Sequence, residues 1–368
     1  MSDLTIAAVG DILIPPDPLD FRIERLAKVV KPLRDADLGL ANMESPLVDS
    51  GLPIQKIDIA RADRAKAKEI ARMGIDVVTL ANNHTLDYGL HGLKSTKRAL
   101  KRSGIQFAGV GQDARAAFRH LLLEKNGLKI AFLGAHAYFH STWDHYPDEY
   151  RADAHKPGAA VIQGYEVRVP RSEDLLDSSS IIAPAERFLQ YLVNAVKKAR
   201  EEADIVILAL HSHWGTDDGH RVDLGRRIIC HEAVNAGADL IFGHGPHVFN
   251  GVEVYKGVFI AHSLGNFFFH MPAGLGELVP EVRPFVSQMS KEERFWEGLI
   301  LQADFKNGAR PSEVRFHPCH LSHEQDGTPH LAGGKVKERI LQRLQEKSRL
   351  LGTEISQEDG VFVARPAP

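Results

Sequence analysis

The chain has 368 residues, 43% of them hydrophobic and 25% charged, with a formal net charge of −3. This is the composition of a folded globular protein, and the near-neutral charge excludes a basic surface for nucleic acid or anionic lipid. Two cysteines, Cys230 and Cys319, are too few for a disulfide framework and are expected as reduced core residues.

The chain opens on a β-rich run, Leu4–Val9. No basic segment precedes it, and Pro15 and Pro16 soon break it, so it reads as a strand and not as a signal peptide. No stretch approaches the roughly 18 apolar residues of a membrane helix. The expectation is a cytoplasmic protein without a membrane partner. An amphipathic stretch at Phe21–Leu33 follows, then a buried strand at Leu38–Ala41. Ala62–Met73 reads as a helix ended by Gly74, and Ile75–Leu80 as a third strand. The helix His91–Arg102 leads into a strand at Ile105–Ala108. Leu121–Glu124 and Lys129–Leu133 flank Asn126-Gly127, a hairpin signal.

Residues 135–180 show no period and read as a loop excursion. Regular structure resumes with a helix at Pro184–Glu202, a strand at Asp204–Leu210, a helix at Asp223–Asn235 and a strand at Asp239–Phe242. Val252–Tyr255 and Val258–Ala261 pair across Lys256-Gly257. A second excursion covers residues 268–295. Strands at Leu299–Phe305 and Glu313–His317 precede a helix of mixed charge at Lys335–Leu351. The reading is one α/β domain over 1–320 with a helical appendage over 321–368. That last helix is read as a solvated surface helix or a homodimer contact.

Five strand ends carry polar groups suited to metal ions: Gly10-Asp11, Asn42-Met43-Glu44, Asn82-Asn83-His84 with Asp87 nearby, His211-Ser212-His213, and Gly243-His244-Gly245-Pro246-His247. Each has a bland reading. Gly-Asp after a strand is often a turn, and Asn favours helix N-caps. Together they point to one place, because ligands of α/β sheets gather beyond the carboxyl ends of strands. Imidazole, carboxylate and amide oxygen suit Zn, Mn or Fe(II). An open site of that kind activates water and polarises a scissile bond, which makes hydrolysis the reaction class.

The motifs Gly10-Asp11, Asn42-Met43-Glu44-Ser45-Pro46-Leu47, Leu80 to Gly89 (LANNHTLDYG), His213-Trp214-Gly215, Gly243 to His247 and Ser263-Leu264-Gly265-Asn266-Phe267 occur in that order. The chain resembles the CapA-type family, named for poly-γ-glutamate capsule biosynthesis and related to calcineurin-like metallophosphoesterases. The resemblance spans about residues 4–270. It implies a four-layer α/β/β/α sandwich of metallophosphatase type, holding one or two divalent ions. By that resemblance Asp11 and His247 hold a first ion and Glu44 bridges. Asn83, His213 and His244 hold a second, and His84 is the catalytic acid oriented by Asp87. One departure matters: Leu13 stands where general metallophosphoesterases carry a first-strand histidine. Either His211 or Asp217 replaces it, or the first ion is weak or absent. On a strand His211 and His213 share a face, although His211 also fits a supporting place in the core.

Aromatic and basic residues around the site, among them Trp143, Arg151 and Arg221, are candidates to bind a small-molecule or oligomeric anionic substrate, with the arginines as carboxylate clamps. Two functions follow. The first is a metal-dependent hydrolase acting on an amide, such as a γ-glutamyl or peptide-like bond, or on a phosphoester. The second is a non-catalytic metal-binding component of capsule polymer synthesis or export.

Overall fold

The structure is a computed structural model describing residues 3–14, 23–56, 59–138, 150–168, 180–213, 222–270, 291–308, 310–322 and 327–366. Two large sheets organise it. In the first, Leu4–Leu13 lies between parallel Leu38–Met43 and antiparallel Glu297–Phe305, and the parallel run continues through Val77–Thr79 to Gln106–Ala108. In the second, Leu128–Tyr138, Ile205–Ser212, Leu240–His244 and Val258–Ala261 run parallel side by side.

Central strands covered on both faces should be apolar at nearly every position. Ile205–Ser212 is buried throughout, as is Leu38–Met43. Side chains alternate between two cores. Ile6, Ala8, Leu38, Leu40 and Val77 of the first sheet meet Ile130, Phe132, Ile207, Leu240 and Phe242 of the second. On the outer face of the first sheet, Ala7, Val9 and Ala41 pack against Val30, Leu33, Ile70 and Leu100 of the helices. On the outer face of the second, Val206 and Leu208 pack against Leu192, Val196, Ile229 and Ala233. The layers are therefore helices, sheet, sheet, helices, the α/β class expected from the sequence.

Two stretches differ from the reading by period. Within 135–180, Leu128–Tyr138 runs five residues past Leu133, and Val161–Arg168 and Ser180–Pro184 extend the second sheet. Period failed for Leu128–Tyr138 because a strand buried on both faces does not alternate. The C-terminal segment does hold a helix, Gly334–Arg349, but it also holds Glu354–Glu358 and Val361–Arg365, a hairpin that pairs with Val314–Leu321 at the edge of the first sheet.

One irregularity sets up everything beyond the strand ends. Ala8 pairs with Leu40, yet Asp11 pairs with Asn42, so the first strand has one extra residue against its neighbour. A bulge of this kind reverses the faces of the residues after it. Without it Asp11 would share the outer face with Ala7 and Val9; with it, Asp11 turns toward the second sheet. Gly10 makes the bulge possible, because a Cβ there would stand 1.8 Å from the Gly265 carbonyl oxygen, and that carbonyl accepts the Asp11 N–H at 3.0 Å. Gly10→Ala should therefore lower unfolding stability by about 1–3 kcal/mol, the usual scale for overpacking, in urea denaturation followed by circular dichroism.

Candidate metal centre

Parallel register builds the floor of the site. His136, His211 and His244 are partners across three adjacent strands, with His211 paired to both others. Each shares its face with Phe132, Ile207 or Phe242, residues of the core between the sheets, so three imidazoles line up where that core ends. All three are fully buried. Asp11 and Glu44 approach from the first sheet, also fully buried, and the Glu44 N–H is tied to the Ile12 carbonyl at 3.1 Å.

The groups crowd together. His211 Nδ1 lies 2.9 Å from His244 Nδ1. Asp11 Oδ1 stands 3.8 Å from the first of these atoms and 3.7 Å from the second. A point about 2 Å from all three atoms exists, which is the length of a bond from zinc to imidazole nitrogen or carboxylate oxygen. On the other edge of the ring, His211 Nε2 lies 3.0 Å from Asn83 Oδ1, 3.1 Å from His213 Nε2 and 3.7 Å from Glu44 Oε1. Asp11, Glu44 and His247 form a third group able to share an ion.

Almost every atom in this cluster is an acceptor. A neutral imidazole carries one proton for two nitrogens, and burial pushes His211 and His244 well below the ordinary histidine pKa. Burial also raises Asp11, against the opposing pull of His247, Asn42 and the Gly245 N–H. Acceptors packed this closely out of water favour a cation among them. The donor set therefore fits a divalent metal, with Asp11, Glu44, Asn83, His213, His244 and His247 brought to one place and His211 in the middle. His213 is the exposed member.

Supporting contacts fix the geometry. Asn42 Nδ2 donates to Asp11 Oδ1 at 2.8 Å. Asn82 donates to the Asn42 side chain and to the Met43 carbonyl, while its own Oδ1 accepts the His84 N–H at 3.1 Å. That makes it the anchor of a tight turn, and the following helix starts only at Gly89. Asn266 donates to the carbonyls of His247 and Phe295, so its Oδ1 must accept from His247 Nδ1, 2.9 Å away. The lone pair of His247 is then on Nε2. His247 itself has φ of +59°, a backbone strain of the sort held at working sites.

His84 Nδ1 contacts Asp87 Oδ2 at 2.7 Å. Burial alone would raise the Asp87 carboxyl, but the charges of Lys56 and His84 and the Ala60 N–H outweigh it and hold the group below the usual carboxylate range. Lys56 donates to Asp87 Oδ1 at 3.1 Å and to the Asn83 carbonyl at 3.0 Å, with its side chain only 5% exposed. Sequence reasoning missed Lys56, which sits in a segment without period. It missed His136 as well, although one histidine in the otherwise apolar run KIAFLGA-HAY is a signal for a polar group facing a site.

Other expectations fall elsewhere. Trp143, Asp217 and Arg221 lie outside the described residues. Arg151 turns to the outer helical layer. Its guanidinium lies 4.9 Å over the Phe188 ring and bonds to Gln163, in a groove of about 440 Å³ shared with Arg187 and Tyr191. The inward direction is taken by its neighbour Tyr150, stacked on His136 at 5.6 Å.

Residues 5–271 match the model of a family described as bacterial capsule synthesis protein PGA_cap. Uncharacterized protein y4sH of Sinorhizobium fredii is 26% identical, over 98% of this chain and 93% of that protein. The capsule biosynthesis protein CapA of Bacillus anthracis is 28% identical, over 72% of this chain and 60% of that protein. A solved structure, a putative 5′-nucleotidase from Staphylococcus aureus in complex with alpha-ketoglutarate, aligns at 12% identity with a TM-score of 0.41, covering 94% of this chain and 58% of that one.

His136 yields a pH prediction. Burial, reinforced by the nearby charges of Lys56 and His84, lowers its pKa from 6.5 to about 3. Below about 6.5 the unfolded chain binds a proton that the folded one refuses, so this residue's contribution is complete above that pH and is lost as pH falls toward 3. His136→Phe keeps a ring in place and removes the proton. The fall of stability between pH 6 and pH 4, from urea midpoints, should become shallower by up to about 1.4 kcal/mol per pH unit.

Proposed function

The chain belongs to the bacterial capsule synthesis protein PGA_cap family, and from that premise we propose that its buried acceptor cluster is the centre of a metal-dependent hydrolase. The observation that carries this reading is the closeness of Asp11, His211 and His244, whose facing atoms lie 2.9 to 3.8 Å apart and surround a point at bonding distance for one cation. Asp11, Glu44, Asn83, His213, His244 and His247 are the proposed ligands. His211 supplies the imidazole that Leu13 does not. The donors suit Mn, Zn or Fe(II).

A divalent ion held there supplies Lewis acidity and brings the ionisation of water into the neutral range. The protein's own groups do the rest. Asp87 holds His84 by Nδ1, at 2.7 Å, which leaves Nε2 as the atom that gives a proton to the leaving group. Lys56 balances the Asp87 charge and, through the Asn83 carbonyl, ties that proton donor to the turn bearing a ligand. The substrate is proposed as an amide, γ-glutamyl or peptide-like, or a phosphoester. The capsule role of the relatives favours the amide, and that step rests on analogy.

Elemental analysis of purified protein, paired with turnover of a phosphodiester and an amide panel with and without Mn²⁺ or Zn²⁺, tests the proposal. Asp11→Ala and His244→Ala should lose bound metal. His84→Ala should keep it and lose about 10²- to 10⁴-fold in turnover, the range for general acid catalysis. Metal retained with no turnover on any substrate, and indifference to His84→Ala, would leave a non-catalytic component of polymer synthesis instead.

A further inference from the structure

Arg226 heads the fully buried side chains by volume, and the hydrogen bonds it makes among the described residues go to backbone carbonyls. Nη1 donates to Ser212 O at 3.3 Å, and Nη2 donates to Leu210 O at 3.4 Å and to His244 O at 3.1 Å. Two of those carbonyls flank His211 and the third belongs to His244. They also lie where the pairing of these two strands runs out: His211 and His244 are the last pair between them. A planar fork of donors replaces the ladder at the point where the ladder stops.

The fold makes room for this contact. Arg226 stands in the first turn of the helix Leu224–Ala236, and its guanidinium reaches in beside Gly243. A Cβ on that glycine would come within 2.5 Å of Nη2. A buried cation resting on carbonyls is an expensive way to fill space, since apolar side chains of the same volume usually serve as well or better. Burial lowers the guanidinium to about 10, which still leaves it charged at neutral pH.

We infer that Arg226 is a positioning residue that staples the ends of two strands, so that His211 and His244 present their Nδ1 atoms 2.9 Å apart to one divalent cation. The inference rests on the metal-centre reading above and adds to it what preforms the site. The geometry of the fork is what counts: a lysine keeps the charge but offers one compact ammonium to three carbonyls on two strands.

The test uses the full chain, stripped of metal, as wild type, Arg226→Lys and Arg226→Met. Circular dichroism and the metal-free thermal midpoint report folding. Isothermal titration with Mn²⁺ and Co²⁺ reports affinity, and the visible absorption of bound Co²⁺ reports ligand geometry. Both variants should fold and bind about 10- to 100-fold more weakly, the usual effect of removing a group that orients a metal ligand, with an altered Co²⁺ spectrum. Folded variants that bind with wild-type affinity and spectrum overturn the inference while leaving the metal centre intact. Failure of Arg226→Lys to fold also overturns it, making the arginine a requirement of folding. A wild type that binds neither ion removes the metal-centre reading itself, and this inference with it.

Discussion

Carboxylates and imidazole lone pairs crowded together repel one another, and burying them out of reach of water makes the repulsion worse. Yet Asp11, Glu44, His211 and His244 are all fully buried, within a few ångströms of one another. The rest of the molecule is arranged so that this cluster stays in place. A divalent cation would turn the same arrangement from a liability into a bound site, which is what makes the cluster a candidate metal centre.

Backbone shape does the first part of the work. Parallel strands in register place His136, His211 and His244 on one line. The one-residue bulge at Gly10 then turns Asp11 from the helical side to face them. Hydrophobic burial between the sheets supplies the rigidity, with Phe132, Ile207 and Phe242 lying on the same faces as the three histidines. Core and site are successive stretches of the same strand faces.

Polar contacts finish what packing begins. The amides of Asn42, Asn82 and Asn266 each have their donor and acceptor ends fixed by neighbours, so each also fixes the group it touches. Lys56, Asp87 and His84 form a second, charged chain beside the cluster. Its buried ammonium and carboxylate balance one another, which is the condition on which such a pair is tolerated in a core. Arg226 follows different logic, with backbone carbonyls in place of a counter-ion.

Residue chemistry and chain order were legible without a structure. The alternation of strand-like and helical runs pointed to the α/β class, and five polar strand ends marked one place of convergence, because carboxyl ends of parallel strands share one edge; the choice of Asp11, Glu44, Asn83, His213, His244 and His247 within them followed from the resemblance to the CapA-type family. Period could not follow Leu128–Tyr138 to its end, since a strand buried on both faces carries no alternation. What tertiary structure alone decided is which faces meet. The place of His211 between two groups of acceptors depends on its register with strands more than thirty residues away on either side. Lys56 and Arg226 acquire their meaning only when a loop and a helix bring a cation to carbonyls and carboxylates distant in sequence. Local propensity carries no trace of such contacts, because their energy lies in partners that the chain meets only after it has folded.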